Sequence, residues 1–149
     1  MQRPSRLVVF DALMLKAYAS EDRQTFQWEL EAFQILDRRG QFRILFTRDI
    51  LSEYQKAADK PPQFQLLPVL NNLAEKRVTL NIDENNLKRF PIALTGFTKW
   101  HQTFIKDAIG AEADYFITDY RPWLRLSEQT QEHYGLVIAT PEHFVFLEG

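Results

Sequence analysis

The sequence predicts an α/β fold: a single doubly wound domain over residues 1–149, with a mainly parallel central sheet flanked by helices as an α/β/α sandwich. Three observations predict it. Short apolar runs at 7–10, 42–46, 115–117 and 136–139 lack the polar alternation of half-exposed strands, which suits strands covered on both faces. Stretches with apolar residues at helical spacing lie between them, and such alternation winds into a parallel sheet with right-handed crossovers. With 149 residues, 45% of them hydrophobic, the chain has material for one substantial core.

The first run, LVVF, is broken at once by Asp11 and is followed by no small-residue cleavage site, so it reads as a buried first strand. Over 25–38, Phe26, Leu30, Phe33, Ile35 and Leu36 fall near helical spacing, and Gly40 supplies a C-terminal stop. The strand FRILF then runs into Thr47, an N-cap for a helix with Asp49 in its first turn. Ile50, Leu51, Tyr54 and Ala58 form its buried stripe, and it ends before Pro61 and Pro62. In the middle of the chain, 66–73 reads as helix, 78–82 as a short strand and 91–96 as a loop. The helical pattern returns over 97–112, with Trp100, Phe104, Ile105, Ala108 and Ile109 apolar, and leads into the strand YFIT. Trp123, after Pro122 in a presumed loop, is the tryptophan most expected at the surface, with a satellite core position as the alternative. Thr140 caps a last short helix that opens on Pro141, a favoured place for proline.

Composition excludes several classes. No cysteine is present, so neither a disulfide framework nor a thiolate zinc site can form, and cytoplasm is the expected compartment. No segment approaches the ~20 uninterrupted apolar residues that span a bilayer. A net charge of −2 and a pI near 5.9 give no global attraction to nucleic acid, so any RNA contact must come from local basic pairs such as Lys56 with Lys60 or Arg121 with Arg125.

Ligands of open α/β sheets collect outside the carboxyl ends of the strands, which directs attention to Asp11 after the first strand and Asp119 after YFIT. Glu53, one turn into the helix after FRILF, is placed to face the same rim. Three converging carboxylates with no basic partner in their local sequence would repel one another unless a hard cation held them, and Mg²⁺ or Mn²⁺ is the natural candidate. Read singly, the aspartates are equally well helix caps or turn formers, and Glu53 a solvated helix residue.

Four segments carry a resemblance. LVVFDALML, RILFTRDILSEYQKA, DAIGAEADYFITD and GLVIATPEHFVFL, in that order, resemble the strands, acid-bearing helix and terminal helix of PIN-domain nucleases, leaving about 60–95 uncovered. The resemblance implies a metal-dependent endoribonuclease acting on single-stranded RNA, with Asp11, Glu53 and Asp119 holding the ion and Asp107 or His101 completing the shell. It also implies the toxin of a toxin–antitoxin pair, hence a small antitoxin protein as partner, and a homodimer. The chain departs from the family pattern in three places. Leu13 stands where a small polar residue is usual. His101 aligns with the family's third acid, and Asp107, the nearest carboxylate, lies about 9 Å further along the helix. The terminal aspartate directly follows Thr118. A neutral imidazole at His101 is a ligand for Mn²⁺ or softer ions, or else a hydrogen-bonded histidine on the apolar face; His133 and His143 read as surface residues. These departures motivate an alternative of a different class, a catalytically degenerate PIN-like domain that binds RNA or protein. A phosphoryl-accepting or nucleotide-binding protein is a weaker third reading, because the five glycines form no phosphate loop.

Overall fold

The computed structural model describes residues 5–20, 22, 24–38, 41–72, 77–78 and 99–149. Five parallel strands form one sheet: β1 (Arg6–Phe10), β2 (Phe42–Leu45), β3 (Arg77–Val78), β4 (Tyr115–Ile117) and β5 (Val137–Ala139), in the order β3-β2-β1-β4-β5. β1 is central, with Val8 opposite Ile44 on one side and Tyr115 on the other. Its side chains from Leu7 to Phe10 are all buried, as expected for a strand covered on both faces. The ladder continues past the strand ends, where Asp11 N donates to Ile117 O at 3.1 Å and Thr118 N to Ala139 O at 2.9 Å.

Helices flank the sheet. They are α1 (Ala12–Ala19), α2 (Gln27–Leu36), α3 (Arg48–Ala58), α4 (Leu66–Asn72), α5 (Lys99–Gly110), α6 (Ser127–Tyr134) and α7 (Pro141–Glu148), with a 3-10 segment at Arg121–Leu126 before α6. The predicted caps are in place: Thr47 accepts from Ile50 N and Thr140 from His143 N. Gly135, at φ +70, closes α6 in the left-handed conformation that glycine adopts without a Cβ penalty. α1 is an element the sequence reading did not assign. Its apolar residues are too continuous for a clean stripe, and Ala12, Met14, Leu15 and Ala17 are all buried.

A second correction concerns Trp123. The ring is fully buried in the 3-10 segment, edge-on to Tyr120 at 6.5 Å, so the core alternative holds and the surface expectation does not. Of the short strand expected at 78–82, only 77–78 is described, and Gly40 and the 91–96 loop lie outside the described residues.

Aromatic packing beneath the carboxyl end of β1 sets up the site. Phe10 meets Phe33 edge-on at 5.3 Å and stacks on Tyr54 at 5.8 Å, and Tyr54 in turn meets Phe104 at 5.6 Å. The Tyr54 hydroxyl donates to Phe10 O at 2.6 Å, satisfying a buried carbonyl that would otherwise cost ~1–3 kcal/mol. The residue that follows Phe10 therefore emerges from a dry, low-dielectric floor. At the opposite edge, Arg6 pairs with Glu148 and lies 4.7 Å over the Phe42 ring, while Arg38 Nη1 donates to Glu148 O at 2.7 Å. These contacts fix α7 to the amino ends of the strands.

Candidate functional site

In the order β3-β2-β1-β4-β5 the winding reverses between β1 and β4, so their carboxyl ends form the topological switch point where open α/β sheets bind ligands. Asp11 is the first residue beyond β1, and Thr118 and Asp119 are the first beyond β4. Position alone thus brings the two aspartates to one crevice.

Asp11 is fully buried. Its Oδ2 accepts from Thr118 Oγ1 at 2.5 Å, and Thr118 Oγ1 in turn accepts from Tyr120 N at 3.0 Å. Its Oδ1 is buried without a hydrogen-bond partner. Burial raises the carboxyl to about 6; the Thr118 hydrogen bond and the amides of Asp119, Met14 and Leu13 lower it, without cancelling the desolvation. Asp11 is also the N-cap residue of α1, where the amides of Leu13 and Met14 favour its charged form although no side-chain cap hydrogen bond is formed.

Asp119 is only half-buried, yet it is raised further, to about 7. Burial is the first cause, followed by a shared hydrogen bond with Glu29, the charges of Glu29 and Asp11, and an opposing pull from Arg121. The neighbouring Glu29 carboxyl thus disfavours the charged form of Asp119. Glu29, in the first turn of α2, was not foreseen in the sequence. A signal for it existed in the topology, since crossover helices antiparallel to the strands begin at the carboxyl rim, and an acid in the first turn of α2 falls there.

Of the other expected site residues, Glu53 and Asp107 have partners of their own, and the side chain of His101 is not described. Glu53 pairs with Lys56 at 3.2 Å, so the expectation of three carboxylates with no basic partner in their local sequence is corrected on this residue. Burial raises Asp107, and the nearby charge of Asp49 adds to that; its hydrogen bond from Thr47 Oγ1 works in the opposite direction. This places Asp107 with the cap of α3 beyond β2, on the other side of β1 from Asp119. His101 belongs to α5, and its side chain lies outside the described residues. Asp11 and Asp119 are thus brought together, with Glu29 added; Glu53 and Asp107 each have another partner.

Among the described residues no three His, Asp or Glu side chains form a ready-made ion cage. The donor set at the switch point is nevertheless of the kind a hard divalent ion takes. It is all carboxylate oxygen, it includes one buried oxygen without a partner, and its groups repel one another when charged. Mg²⁺ commonly binds through one or two carboxylates and keeps several waters, so two aspartates suffice as anchors. Among the described residues no helix is long and apolar enough to cross a membrane. A scan against protein-family models matches none, and no curated protein matches the chain.

Proposed function

We propose that the chain is a metal-dependent phosphodiester hydrolase acting on single-stranded RNA, an endoribonuclease of the PIN type. The observation that carries this reading is the pairing of Asp11 with Asp119 at the switch point. Asp11 Oδ1 and the Asp119 carboxylate would hold Mg²⁺ or Mn²⁺. Bound there, the ion supplies a water of lowered pKa and neutralises charge on the scissile phosphate. Thr118 orients Asp11 by donating to Oδ2, and the other oxygen, Oδ1, is buried without a hydrogen-bond partner. Burial first, and the neighbouring Glu29 second, raise the Asp119 carboxyl to about 7, so the ion would have to displace a proton from it on binding. Arg121, close enough to lower the Asp119 carboxyl, is positioned for the anionic substrate.

The test is Mn²⁺-dependent cleavage of a mixed-sequence single-stranded RNA by the whole chain, beside Asp11→Asn and Asp119→Asn. Cleavage should fall at least a hundredfold in either variant. Cleavage indifferent to both substitutions would sink the assignment, as would an inactive wild type that binds no Mn²⁺ by calorimetry. A second reading has its own observation. Glu53 is neutralised by Lys56 and Asp107 is held by Thr47, so the acids present do not form one cluster, which favours a non-catalytic RNA- or protein-binding module. RNA binding without cleavage under any divalent ion would support it. An antitoxin-like partner or a homodimer belongs to either reading and is tested by sedimentation of the purified chain.

A further inference from the structure

Between α1 and α3 runs a groove of about 420 Å³, lined among others by Ala12, Leu13, Lys16, Glu53, Lys56 and Lys60. Its charge is unlike that of the chain as a whole. The net charge of the protein is −2, whereas this lining carries three ammonium groups and one carboxylate. The Lys16 ammonium donates to the carbonyls of Lys60 and Pro61, at 3.2 and 3.4 Å, which gathers the positive charge of α1 against the segment after α3. Lys56 lies in the last turn of α3, and Lys60 is two residues beyond its end. In the Lys56–Glu53 pair the lysine side chain is 65% exposed, so its ammonium remains open to solvent. Leu13 adds an apolar wall, 43% exposed at the groove although it belongs to a helix with a buried face. Ala12, the residue that follows the buried Asp11, is part of the groove lining.

We propose that this groove is the track on which a phosphodiester strand lies as it leaves the switch point, with Lys56, Lys60 and Lys16 facing successive phosphates and Leu13 against a ribose or base face. The inference rests on the nuclease reading for its direction along the strand, and adds to it the part of the surface that provides affinity. An isolated ammonium cluster fits any polyanion. The apolar wall of Leu13, beside Ala12 and so close to Asp11 along the chain, favours a nucleic-acid strand, whose bases offer a stacking face, over an acidic peptide.

The test is fluorescence anisotropy of a labelled twelve-nucleotide oligouridylate, with EDTA present, across a sodium chloride series. Lys56→Gln/Lys60→Gln should weaken binding roughly tenfold at moderate salt and lower the slope of log K against log salt by about 1.4, some 0.7 for each lost phosphate contact. Lys56→Arg/Lys60→Arg should restore both. Lys106→Gln/Arg43→Gln, which removes the same charge from exposed positions that do not line the groove, should leave the slope unchanged. An equal loss in that control would overturn the proposal, as would a labelled polyglutamate that binds as tightly with the same lysine dependence. Cleavage assays keep the two readings apart. Efficient cleavage with unaltered KM in the glutamine pair would reject the track and retain the nuclease. Lysine-dependent binding without cleavage would retain the track and reject the nuclease.

Discussion

A carboxyl group with one oxygen bonded and the other buried without a partner is costly to ionise, and Asp11 is in that position. Its folded value, about 6, stands above the 3.8 of an exposed aspartate. The folded state therefore binds its proton more tightly than the unfolded state does. This contribution favours folding below about pH 4 and is lost as the pH rises through 6, after which it is constant. The difference amounts to about 3 kcal/mol at neutral pH. Asp11→Asn keeps an oxygen for Thr118 and removes the charge, so without divalent ions it should melt about 10 °C higher than the wild type at pH 7.5 and no higher at pH 4. Thermal melts by circular dichroism at the two pH values check this. An equal shift at both would mean that the carboxylate is not the destabilising group.

At the scale of elements, α3 is the clearest case of structure written locally. Thr47 accepts from Ile50 N, and its hydroxyl donates to the buried Asp107 of α5, so one side chain both starts a helix and joins it to its neighbour. Thr47→Val should remove both bonds and cost about 2 kcal/mol in urea unfolding, with a further loss above the Asp107 titration, where the carboxylate would be buried without its donor. Thr47→Ser should cost much less, and a valine variant as stable as the serine would refute the dual role. Features of this kind were legible in the sequence, because a cap followed by an apolar stripe lies within one turn of chain. β1, β2, β4 and β5 were legible for the same reason, as continuous apolar runs. α1 was not, since ALMLKAYA is apolar on too many sides to show a period. Trp123 was misplaced because Pro122 suggests a loop, whereas the proline opens a 3-10 segment that carries the ring inward. The pair Asp11 and Asp119 was legible from strand ends alone. Glu29 was not, because it joins them from an intervening helix, and Glu53 was read without its partner three residues on.

For the whole molecule, the fold gathers acidic side chains where its winding reverses, and the proposed ion would couple stability to binding there. Asp11 and Asp119, raised to about 6 and about 7, both bind protons more tightly when folded, so the stability they allow declines as pH climbs from about 4 to 7. A divalent ion selects the deprotonated form of both groups. Its binding must therefore release protons at pH 6 and weaken steeply below it, while it offsets the repulsion at pH 7.5. At a hundredfold excess over Kd the ion should add about 2.7 kcal/mol to the folded state. The expected outcome is a Mn²⁺-dependent rise in melting temperature at pH 7.5 that disappears at pH 5 and is lost in Asp119→Asn. Calorimetry at pH 6 in buffers of different ionisation enthalpy should report between one and two protons released per ion. A melting shift of equal size at pH 5, or one that survives the removal of Asp119, would place the ion somewhere other than the switch point and leave the raised carboxyls as a proton-sharing pair.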